Sequence, residues 1–77
     1  MSELPRVSGK DLCAALERHG YRFSHQRGSH VYLRAPTDLR LVIVPVHGNR
    51  DLPLGTLRSI LRQAGLTADQ LREILAD

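Results

Sequence analysis

Residues 29–35 read Ser-His-Val-Tyr-Leu-Arg-Ala, and this alternation limits the possible folds more than any other feature of the chain. Side chains on a strand point alternately to its two faces. Val31 and Leu33 therefore share one face, and His30, Tyr32 and Arg34 share the other. Such a strand belongs in a sheet that is buried on one side and open on the other. Strand character also marks residues 21–25 and residues 40–46, the latter through the β-branched run Leu41-Val42-Ile43-Val44. Arg27-Gly28 supplies a tight turn, and Pro36, Thr37 and Asp38 supply another. The pattern predicts an antiparallel meander of three strands.

Helical spacing flanks the meander. Ser8 followed by Asp11 predicts a capped start, and Leu12, Ala15, Leu16 and His19 recur at helical intervals before Gly20 ends the run. After the polar stretch 47–51, Pro53 suits the first turn of a second helix. Its apolar stripe is Leu54, Leu57, Ile60, Leu61 and Ala64, and Gly65 stops it. Thr67 and Gln70 form a capping box for a short last helix, with Leu66 and Leu71 as its staple. Leu71, Ile74 and Leu75 dock that helix. The predicted architecture is α+β, in the order α-β-β-β-α with an extra C-terminal helix, and the helices cover one face of the sheet. Residues 1–77 are expected to form a single domain, with residues 1–6 as a short lead-in.

The chain has 77 residues, of which 42% are hydrophobic, so a folded globule is expected rather than disorder. Its longest apolar run is too short to span a membrane, and its N-terminus lacks the pattern of a secretory signal. Cys13 is the single cysteine, which precludes an internal disulfide and fits a reducing cytoplasm. It falls beside core positions in the first helix and reads as a small hydrophobe rather than a nucleophile. The net charge of +3 permits an anionic partner, and ten of the eleven cations are arginine. Arginine's planar fork suits phosphates and base edges, although biased codon usage yields the same composition.

The open face is where structure bears on function. Besides His30, Tyr32 and Arg34, alternation from Tyr21 and Phe23 as inward residues assigns Arg22, Ser24 and Gln26 to it. Arg22 and Arg34 can meet phosphates, and Tyr32 can stack on a base. The third strand is apolar on both faces, which suggests that part of this surface is covered, with a partner protein as one cover. Histidine carries protons near neutral pH. His30 follows Gly28 and Ser29 at the start of a strand, where a phosphate can approach closely. His47 follows Pro45 at the end of another. His19 falls in the last turn of the first helix and reads as structural, and His25 is ambiguous, on the inward parity but near the turn. His25 and His30 have a zinc-like spacing, but alternation sets them on opposite faces and no CxxC accompanies them. The sequence has no P-loop, dinucleotide-binding glycine pattern, H-E-x-x-H or G-x-S-x-G. No metal or cofactor is expected.

Four stretches carry a family resemblance: Val7-Ser8-Gly9-Lys10-Asp11-Leu12, Gly28-Ser29-His30, Val44-Pro45-Val46-His47, and the run from Gly55-Thr56-Leu57 through Ile60-Leu61 to Ala64-Gly65-Leu66. In order and spacing, over about residues 6–75, the chain resembles the HicA toxins of bacterial and archaeal toxin–antitoxin pairs. The resemblance implies a fold like the double-stranded RNA-binding domain. It implies a ribosome-independent ribonuclease that cuts messenger RNA and arrests translation, with the G-S-H histidine, here His30, as the catalytic residue. It also implies a HicB-like antitoxin that blocks the active site. DNA binding, where it occurs, belongs to that partner rather than to this chain.

The expected mechanism is metal-free attack by the 2′-hydroxyl, with His30 as acid or base and Arg27, Ser29 or Arg34 holding the phosphate. The second proton carrier is His47, a water, or His30 acting twice. Two rival readings use the same face: an RNA-binding module that does not cut, and a surface that binds only protein.

Overall fold

The computed structural model describes residues 4–76. It contains α1 (Gly9–Arg18), β1 (Arg22–Arg27), β2 (His30–Arg34), β3 (Leu41–Pro45), α2 (Leu54–Ala64) and α3 (Ala68–Ala76). The strands form one antiparallel sheet in the order β1-β2-β3. Helix, three-strand meander and two helices make the expected α+β arrangement, of the double-stranded-RNA-binding-domain type with one added helix.

Local chemistry explains the helix ends. Asp11 N–H donates to Ser8 Oγ at 3.1 Å, which satisfies one of the amides left unpaired at the start of α1. Gly20 takes the left-handed backbone (φ 97°) that turns the chain out of the helix toward β1. Pro53 stands one residue earlier than expected, before rather than within the first turn of α2. Thr67 and Gln70 close the capping box of α3 reciprocally, at 2.8 and 3.1 Å. Residues 1–3 of the expected lead-in lie outside the described residues. The residue that follows the lead-in is tied down: Val7 is buried, and its carbonyl accepts from Leu52 N–H at 2.8 Å.

Leu33 on β2 faces Val42 on β3, and Val31 faces Val44. Leu33, Val42 and Val44 are fully buried with Leu12, Leu16, Leu57 and Leu71 from the three helices. Each such side chain stabilises the fold by about 1.5–3 kcal/mol relative to an exposed one. Both α1 and α2 bear on β3, and α3 packs on α1. The helix layer is therefore off-centre. Tyr21 is buried as expected, whereas Phe23 shares Leu33's face yet remains 55% exposed, because the helices lean toward β3. The outer edge of β3 is blunted at two positions. Ile43 N–H donates to Gln63 Oε1 at 3.4 Å, and Pro45 has no N–H to offer.

The register of the first hairpin corrects the parity read from the sequence. Arg22 pairs with Arg34 and Phe23 with Leu33, but the next pair is His25 with Tyr32. Ser24 is the extra residue of a β-bulge, and every later side chain of β1 changes face. His25 and Arg27 thus join the open face, opposite Tyr32 and His30, while Gln26 pairs with inward Val31. His25 and His30 consequently share a face, contrary to the alternation argument.

Candidate functional site

The open face is a grid set by the register. Along β2 stand His30, Tyr32 and Arg34, and opposite them along β1 stand Arg27, His25 and Arg22. Leu41, Ile43 and Pro45 continue the rows on β3. His30, Arg22, Arg27 and Arg34 are exposed. Among the described residues, the side chains of His30, Arg22 and Arg27 have no hydrogen-bond or ion-pair partner. Arg34 is held at one end of the grid, where its guanidinium donates to the Leu39 carbonyl at 3.2 Å.

Two arginines directly opposite each other repel, and nothing acidic offsets Arg22 against Arg34. From Arg22 to Arg34 the sequence has three arginines and two histidines, and no aspartate or glutamate. The hairpin is thus a concentrated cationic surface on a chain whose net charge is only +3. Arg22 and Arg34 also line a shallow depression with Pro36 and Leu39, wide enough for an anionic group to enter.

The hairpin turn brings in Gly28 and Ser29. Gly28 has φ 54°, and the space where a Cβ would stand is empty to 4 Å. Glycine is needed there for the left-handed backbone, and the opening leaves the start of β2 accessible from outside. Ser29 lends its carbonyl to Val46 N–H at 2.7 Å, which extends the β2–β3 pairing past His30.

His25 is the site residue that alternation missed. Its ring stacks on Tyr32 with centroids 4.2 Å apart and planes 14° from parallel. Its Nδ1 is 3.0 Å from Ser24 Oγ. His47 lies elsewhere, in a cleft at the end of β3 with Pro45, Arg50, Asp51, Leu52, Pro53 and Thr56. Pro45, the cross-strand partner of His30, is the link between that cleft and the grid. His19 is exposed at the C-terminal cap of α1, off the face. Cys13 is half-buried, and burial, helped by Glu17, pushes its thiol up to about 11. That thiol is protonated at neutral pH and is a poor nucleophile. No group of three histidine, cysteine, aspartate or glutamate side chains that could hold a metal ion occurs among the described residues. No helix among them is long and apolar enough to cross a membrane.

An arginine-rich, acid-free sheet face with exposed imidazoles, on a fold of the double-stranded-RNA-binding-domain type, defines a small α+β domain with one cationic sheet face. The model of the HicA toxins of bacterial toxin–antitoxin systems matches residues 9–66, most of the chain, and the chain belongs to that family. No curated protein matches it. A HicA toxin is one half of a pair, so a cognate antitoxin is its partner in general.

Proposed function

We propose that the chain is a single-domain, metal-independent endoribonuclease that cleaves messenger RNA in the cytoplasm and arrests translation, with His30 as its catalytic acid or base. The observation that carries this reading is the position of His30. It is an exposed imidazole directly opposite Arg27, on a face whose three strands carry no carboxylate to repel RNA.

Cleavage of RNA by its own 2′-hydroxyl asks for a proton acceptor, a proton donor and positive charge at the phosphate. His30 meets the first or second need. Arg27 meets the third, with Ser29 beside it in the turn. Arg34 lies four residues along β2 from His30, about 13 Å at 3.3 Å per residue, and with Arg22 opposite it would hold a neighbouring stretch of the backbone. Tyr32, between them, offers a ring for a base. A second proton carrier is still required, and His47 is the candidate the sequence offers. A HicB-like antitoxin would silence the enzyme by covering the same face. The apolar row of Leu41, Ile43 and Pro45 gives such a cover something to bury; Leu41 is 37% exposed.

The test compares the protein with His30→Ala, both shown to be folded, on a defined messenger RNA in EDTA. Cleavage by the parent alone, leaving 2′,3′-cyclic phosphate and 5′-hydroxyl ends, is the expected result. Binding without cleavage by either protein would replace the enzyme with an RNA-binding module. The absence of RNA affinity even at low salt would leave only a protein-binding surface.

A further inference from the structure

We propose that His25 is the second proton carrier of the cleavage in which His30 takes part, an inference that rests on the ribonuclease reading above. The bulge at Ser24 puts it there. Without that extra residue His25 would face the helices, and with it His25 stands opposite Tyr32 and diagonal to His30 on the open face.

The Cα atoms of diagonal neighbours on adjacent strands are about 7–8 Å apart, within reach of long and aromatic side chains. Two imidazoles rooted at that separation on one face can meet a single phosphodiester laid over it. Arg27 adjoins both, being opposite His30 and two residues along β1 from His25. His25, Arg27 and His30 therefore enclose one phosphate position, with the cation at its edge. His47 has no comparable placement, because the chain leaves the sheet after Pro45 and His47 turns to the cleft beside Arg50 and Thr56.

The ring of His25 is also held still. Ser24 Oγ engages Nδ1, and Tyr32 fixes the plane of the imidazole. Nε2 is then the nitrogen left for proton exchange, and its orientation is set before RNA arrives. Among the described residues, the helices pack on the other face of the sheet, against Leu33, Val42 and Val44. The charged and titratable groups around His25 are Tyr32, His30 and Arg34 from β2, with Arg22 and Arg27 from its own strand.

The step balances without a further reactant. One imidazole accepts the 2′-hydroxyl proton as the O2′–P bond forms. The other, protonated, delivers a proton to O5′ as the P–O5′ bond breaks. The non-bridging oxygens face Arg27 throughout, and the two imidazoles end with exchanged protonation states, which solvent resets.

The experiment is the pH dependence of kcat/KM on a defined RNA in EDTA, for the parent, His25→Phe, Ser24→Ala, His30→Ala and His47→Ala, each checked for folding by circular dichroism. Phenylalanine keeps a ring stacked on Tyr32 and removes only the proton. The parent should give a bell-shaped profile. His25→Phe should lose one limb and fall by roughly 10²–10⁴-fold, with RNA affinity changed only a few-fold. Ser24→Ala should keep both limbs and displace one of them along the pH axis, since the imidazole remains but loses its Nδ1 partner. If His25→Phe cleaves within a few-fold of the parent with both limbs intact while His30→Ala is dead, the assignment of His25 fails and the ribonuclease reading stands. Loss of the limb in His47→Ala instead of His25→Phe also overturns the assignment. If the parent does not cleave, or His30→Ala cleaves as the parent does, the reading of the site fails first and this inference falls with it.

Discussion

Gly9 approaches Pro45 so closely that a Cβ built on it would lie 2.0 Å from the Pro45 carbonyl oxygen. The first residue of α1 is thus pressed on the backbone of β3, at the residue paired with His30. No side chain can be inserted there without moving one backbone against the other. Gly9→Ala should destabilise the fold by about 1–3 kcal/mol, the usual cost of overpacking, despite alanine's better helix propensity. Urea unfolding followed by circular dichroism should show a lower midpoint. An unchanged midpoint would contradict the close approach.

Cys13 should behave as a shielded thiol. Burial and then Glu17 raise its value from 9.0 to about 11. The folded state therefore holds the proton more tightly than the unfolded state between about pH 9 and pH 11. By linkage, this contribution to stability is fully present below pH 9 and is lost as the pH rises through 11. Alkylation by iodoacetamide at pH 8 should be slow in the native protein and fast in urea. The rate should titrate near 11 when native and near 9 when unfolded. Equal native and unfolded rates at pH 8 would rule out a shielded thiol.

The capped helices, the meander and the core face of β2 were legible in the sequence because each rests on short-range chemistry. Ser8 with Asp11 and Thr67 with Gln70 act within four residues, and Val31 and Leu33 are fixed by an apolar alternation that cannot be shifted without exposing both. The face of β1 was not legible beyond Phe23. From Ser24 to Arg27 every residue is polar, so no hydrophobic residue holds the parity, and a bulge costs nothing in burial. Alternation consequently misassigned His25 and Gln26. Phe23 was misjudged for another reason. Its facing direction follows from the pattern, but its exposure depends on how far the helix layer reaches, which only the packing of α1 and α2 on β3 decides.

Thr67→Ala offers a test of stability separated from function. Thr67 Oγ1 accepts from Gln70 N–H, and Gln70 Oε1 accepts from Thr67 N–H, which orders the start of α3. Leu71 and Ile74 then pack into the core from that helix. Loss of the cap should cost about 0.5–2 kcal/mol. The residue caps α3, away from the grid, so RNA cleavage measured well below the melting temperature should match the parent within two-fold. A large loss of cleavage with full native structure would mean that α3 takes part in the site.

The salt dependence of RNA binding distinguishes a cationic face that meets phosphates from one that merely adds net charge. Affinity alone cannot, since any structural damage lowers it. The slope of log K against log salt instead counts the counterions displaced, at about 0.7 per phosphate contact on a single strand. Binding should be measured with His30→Ala so that the RNA is not cut. In that background Arg22→Gln, Arg27→Gln and Arg34→Gln should each reduce the slope by about 0.7, and together by about 2. Arg34 also holds the Leu39 carbonyl, so its replacement disturbs the turn between β2 and β3 and lowers affinity beyond its share of the slope. Arg58, exposed on α2, is the matched control: Arg58→Gln removes the same charge from the helix layer and should leave the slope unchanged. An equal fall in slope for Arg58→Gln would show that RNA is drawn by net charge alone. An unchanged slope in the triple variant would show that it does not bind on the open face.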